Sequence, residues 1–159
     1  MIYLLIKYIH IIGAAVLLGT GTGIAFFMLM AHFSRSAPVI AGVARIVVIA
    51  DFIFTASAVV VQPITGVALT WLAGLSLTEG WIALSIGLYL LTGAFWLPVV
   101  WMQMRMRDIA QAAVAAKEPL PESYYRFFWW WFAFGFPAFG AVMAIIWLMI
   151  AKPQIFIAQ

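Results

Sequence analysis

With 159 residues, of which 67% are hydrophobic and 8% charged, and a mean hydropathy of +1.15, the chain has too little polar surface to coat a water-soluble globule. This predicts an integral membrane protein with a handful of crossings of about 20 residues each and no separate soluble domain. The net charge of +3 reads as the cationic excess of cytoplasmic loops rather than a nucleic-acid surface, and the lack of cysteine excludes disulfides, thiolate metal sites, thiol catalysis and cysteine-linked haem.

The first apolar segment covers about 2–30 and ends at "AHFSRSAP". Its apolar run after Lys7 outlasts the core of a signal peptide, which predicts a retained helix. The second covers about 46–73, with "SAPVIAGVAR" as an interfacial lead-in, the third about 81–104 and the fourth about 127–151. Between the last two lies the polar loop "RMRDIAQAAVAAKEPLPESYYR", in which Pro119 and Pro121 should stop helical extension. Short connections force neighbouring spans to run antiparallel, and long apolar spans satisfy their backbone as helices. The predicted fold is therefore all-α, a single four-helix transmembrane domain over 1–159. Arg35, Arg45, Arg105, Arg107, Lys117 and Arg126 fall on loops one and three, against Lys7 and Lys152 on the other side. That bias predicts cytoplasmic loops and both termini outside.

Polar groups within the spans carry the most information, because hydrocarbon tolerates them only against a partner, a cavity or a ligand. Lys7, His10, Asp51, Gln62 and Arg126 stand out. Arg126 at the start of the fourth span can snorkel to the interface. Asp51 lies within reach of Arg45 or Arg105 for an ion pair, and Gln62, preceding Pro63, is placed to serve carbonyls freed at a kink. The glycines at 19, 23, 66, 87 and 93 suit close helix packing, or approach by a flat ligand.

His10 lies about 10 Å below the outer end of the first helix, too deep for water to be its partner. Lys7 is one turn nearer the surface and Gly13 one turn deeper. A neutral imidazole ligates haem iron well, a lysine toward the interface could meet a propionate, and a glycine below would leave room for a porphyrin face. An interhelical hydrogen bond is the alternative role for the same histidine. His32, 22 residues on, is about 33 Å away along a helix, so both histidines cannot grip one haem. Met143 on the fourth span and Gln62 on the second fall near the depth of His10, which makes Met143 a candidate sixth ligand. The aromatic run "YYRFFWWWFAFGF" at 124–136 reads as an interfacial belt, part of which could face a second protomer in a homo-oligomer.

The stretch "YLLIKYIHIIGAAVLLGTGTGIAFFMLMAHFS" resembles the first helix of the HemJ-type protoporphyrinogen oxidases. Lys7, His10 and His32 match that family's K-x-x-H helix and its second histidine, and "GWIALSIGLYLLTG" and "FPAFGAVMAIIWLMIAKP" sit where it has its later helices and terminal Lys-Pro. In overall character the chain is similar to a bacterial family of predicted integral membrane proteins of unknown function, grouped with HemJ and the copper-resistance CopD-like proteins. The resemblance implies a multi-pass protein of the bacterial inner membrane and a single b-type haem held by His10. It does not carry over the reaction equally. The HemJ lysine of the third helix is replaced by apolar residues with Ser85 and Tyr89, and "FAFGFP" replaces the Asn-Glu pair before the fourth-helix proline. Two function classes follow: a haem protein acting on a small lipophilic substrate such as a porphyrinogen or quinone, and a cofactor-free or metal-binding accessory or transport-related bundle. Copper fits His10 less well, because no methionine cluster lies within one turn of it.

Overall fold

The computed structural model describes residues 1–155; the last four residues of the single domain expected over 1–159 lie outside the described residues. Among the described residues the chain is all-helical. It has four helices long and apolar enough to cross a membrane: α1 (Ile2–Phe33), α2 (Ala37–Leu72), α3 (Gly80–Ala116) and α4 (Glu122–Ala151).

The helices outrun the apolar spans where polar residues still favour helix. Pro38 in the first turn of α2 is pre-set for helix entry, so "SAPVIAGVAR" is the opening of α2 rather than a separate lead-in. Likewise "RMRDIAQAAVAA" continues α3 instead of looping. That helix stops where Lys117 turns left-handed (φ 55°), Glu118 N–H bonds Ala113 O at 3.0 Å and Pro119 follows. Gly74 (φ 67°) ends α2 in the same way, with Leu75 N–H on Thr70 O at 3.0 Å. Within the bilayer, the hydroxyls of Thr22, Ser57, Thr70, Ser85 and Thr92 each donate to the carbonyl four residues back on their own helix.

One turn departs from α geometry. Asp51–Thr55 forms a π-turn in the middle of α2, closed by Ala56 N–H on Asp51 O. It divides α2 into two halves with different neighbours. At the end carrying the 34–36 and 117–121 connections, all four helices close around one core that includes Met28, Ile40, Ala44, Met106, Tyr124 and Phe128. At the end carrying both termini, the helices associate two by two: Ala56–Leu72 packs on α1, and α3 packs on α4. Tyr89 on α3 donates its hydroxyl to Val59 O of α2, a link between the pairs near the junction of the two regimes.

The aromatic run is not a uniform belt. Tyr124, Phe128 and Trp131 are buried in the core, while Tyr125, Trp129 and Trp130 are exposed. Consecutive residues on a helix point about 100° apart, so three adjacent tryptophans divide between core and lipid.

Candidate functional site

The end at which the helices pair off holds a polar contact between α1 and α2. His10 Nδ1 lies 2.7 Å from Thr65 Oγ1. The Gln62 amide donates from Nε2 to the backbone carbonyl of His10 at 2.8 Å. Gln62 and Thr65 are buried and three residues apart, so one face of α2 presents both to α1. The amide expected to serve carbonyls freed at a Pro63 kink crosses to α1 instead.

Hydrogen-bond accounting sets the imidazole tautomer. Thr65 Oγ1 is also 2.8 Å from Val61 O and 3.1 Å from Gln62 O, acceptors that claim its only proton. The hydroxyl is then left as acceptor towards His10, which places the ring proton on Nδ1 and the lone pair on Nε2. Among the described residues Nε2 has no hydrogen-bond partner, and the ring is part-exposed. A neutral histidine anchored through Nδ1 with Nε2 free is the form that binds a metal.

The two glycines nearby act differently from each other. A Cβ on Gly13 would stand 2.7 Å from Gln62 Nε2, so the missing side chain makes room for the amide. This corrects the expectation that Gly13 leaves space for a porphyrin face: Gln62 fills it. A Cβ on Gly66 would lie 3.4 Å from His10 Cε1, ordinary van der Waals contact. Gly13→Ala should therefore cost about 1–2 kcal/mol by dislodging a buried donor, and Gly66→Ala close to nothing. Detergent-micelle unfolding of both variants checks this; equal losses would mean that Gln62 is free to move aside.

All these residues lie within the segment matched by a family model described as a predicted integral membrane protein (DUF2269), which covers residues 4–153. The chain belongs to this family. No curated protein and no solved structure matches it.

In this DUF2269 chain the other predicted site residues are scattered. Lys7 is exposed one turn from His10, and its Nζ is 6.0 Å from the Tyr3 ring centroid, on the side of the N-terminus. Met143, the candidate sixth ligand, is 45% exposed on α4, outside the buried seam of Gly13, Gln62 and Thr65. His32 stacks on Phe128 with centroids 3.6 Å apart and planes 4° from parallel, so it belongs to the core at the opposite end. The surface hollow formed by Glu79, Trp81 and Lys152 is lined by helix-end residues and by none of the His10 group.

A second buried polar layer surrounds the π-turn. Asp51 accepts a long hydrogen bond from Trp96 Nε1 at 3.4 Å. Gln103 sets its amide nitrogen toward Asp51 Oδ2 at 3.0 Å and its oxygen toward Trp131 Nε1 at 3.1 Å, the orientation in which donors meet acceptors. The expected pairing with Arg45 or Arg105 does not form. Both arginines are exposed, and among the described residues the ion pair is Arg107–Asp108 at 2.7 Å. Thr65, Gln103, Trp96 and Trp131 are the site residues that reasoning from sequence missed. Gln103, an amide inside the third apolar span, was open to the same rule that singled out Gln62.

Proposed function

We propose that this membrane protein binds a single b-type haem, whose iron His10 Nε2 would hold. The observation that carries the reading is the Nδ1 anchor on Thr65, which fixes the ring and leaves the other nitrogen available. The residues fit such a group as a one-ligand site. Thr65 orients the imidazole, Gln62 holds the His10 backbone, and Lys7 offers a cation one turn toward the interface. Gly13 serves the site by making room for the Gln62 amide, and Met143 lies outside the buried seam. A bound haem would supply one-electron redox chemistry, toward a small lipophilic substrate such as a porphyrinogen or quinone. The resemblance to HemJ supports haem binding more than protoporphyrinogen oxidation, since the third-helix lysine and the Asn-Glu pair are missing. Basic residues concentrated on the 34–36 and 117–121 side favour both termini outside, and the resemblance to HemJ favours the bacterial inner membrane. Exposed Trp129 and Trp130 offer a surface for a second protomer.

A second reading has its own support. His10, Thr65 and Gln62 already tie α1 to α2, and such a clamp needs no cofactor, nor does a CopD-like accessory role require haem. An absorption spectrum separates the two. Protein purified in mild detergent from haem-replete cells should show a Soret band that shifts on adding dithionite, with about one haem per chain. A colourless preparation from those cells would overturn the haem proposal and leave the clamp.

A further inference from the structure

The polar layer at the π-turn is independent of His10. Asp51 is 3% exposed, in the middle of a membrane-spanning helix, and has no cationic partner among the described residues. An isolated carboxylate in hydrocarbon costs several kcal/mol or more unless something neutralises it. The groups that face it come from every helix around it. From α3 come the N–H groups of Trp96 and Gln103, and from α4 comes Trp131, acting through Gln103. The part of α1 that packs on the π-turn carries no titratable side chain between His10 and His32. The nearest charged groups on α2, α3 and α4 are Arg45, Arg105 and Arg126, all exposed, while the Tyr89 hydroxyl is engaged by Val59 O.

Two neutralising ligands are chemically available, a metal cation and a proton. A hard cation requires several oxygen ligands turned inward. Here both carboxyl oxygens face N–H donors, and the Gln103 oxygen is engaged by Trp131. What the layer does hold is a spare hydroxyl, able to donate or to accept. Thr55 Oγ1, at the other end of the same π-turn, is buried and has no hydrogen-bond partner. It can donate to the Asp51 carboxylate, and once the carboxyl is protonated its O–H finds an acceptor there, one turn along the same helix face.

We propose that Asp51 is an intramembrane proton-exchange site. A proton from water adds to a carboxyl oxygen, the resulting O–H donates to Thr55 Oγ1, and release returns the proton to water and Asp51 to its carboxylate. Trp96 and Gln103 keep donating to the carboxyl group in both states, and Trp131 holds Gln103 in register. The π-turn that positions the pair is a geometry that recurs at functional sites.

Infrared spectroscopy of the whole protein in lipid tests this directly. Of the five acidic residues Asp51 alone is buried, and substituting it assigns any protonated-carboxyl C=O band to it. The expected result is such a band, shifted in D2O and abolished in Asp51→Asn. Thr55→Val retains the carboxyl and should move the band to higher frequency by removing its acceptor, which supplies the readout if Asp51→Asn does not fold. A spectrum without the band, or a band that ignores D2O or Thr55→Val, would overturn the proposal. None of these outcomes depends on haem content.

Discussion

Phe128→Ala should destabilise the protein by about 3 kcal/mol, the lower end of the cost of truncating a fully buried phenylalanine in a soluble core. Phe128 has no exposed surface and sits against the His32 ring on one side, with Trp131 at 5.8 Å and Phe132 at 6.2 Å between centroids. In a bilayer, lipid tails are as apolar as the side chain, so the hydrophobic effect adds little and helices hold together by packing. Removing the ring leaves a cavity lined by side chains that are themselves pinned, and it strips His32 of its stacking partner. Trp130→Ala two residues away removes a larger side chain that is 58% exposed, and should cost less than about 0.5 kcal/mol because lipid replaces it. Unfolding both variants by sodium dodecyl sulfate titration in mixed micelles makes the comparison. Equal losses would place Phe128 on the lipid face and dissolve the core described for that end of the bundle.

What was legible in the sequence follows from how far each feature depends on composition. The crossings and their antiparallel order follow from long apolar runs and short connections, which hydrocarbon leaves few ways to satisfy. The ends of helices were less legible. Arg105 to Ala116 is polar enough to read as a loop, yet helix continues until Lys117 and Pro119 end it, because helix persists past the membrane boundary without needing apolar residues. At the candidate site His10 and Gln62 were visible as polar residues in the wrong solvent, while Thr65 was not. A threonine in a transmembrane helix usually satisfies itself on the preceding turn, and only its position three residues after Gln62 marks it as facing α1. Gly13 was read as space for a ligand, whereas the space is used by a neighbour; that distinction depends on the rotation of α2 about its axis, which no local pattern encodes. Asp51 was expected to find an arginine by proximity along the chain. It finds indole and amide donors from other helices instead, since Arg45 and Arg105 reach polar surroundings more cheaply than a buried carboxyl group.

The proposed ligation of iron by His10 predicts an all-or-none spectral change that a purely interhelical histidine does not. His10→Gly removes the ring and leaves a space of its shape beside Thr65, which free imidazole can occupy. Thr65 would then be available to bond the added imidazole as it bonds His10 Nδ1, leaving the opposite nitrogen for iron. Loss of one side chain from a clamp changes stability by only about 1–3 kcal/mol and would leave any haem bound elsewhere spectrally intact. The deciding measurement is the Soret absorption of purified His10→Gly protein with and without imidazole. The account predicts that the band disappears on substitution and returns as imidazole is titrated in, whereas a full Soret band in His10→Gly without imidazole would contradict it.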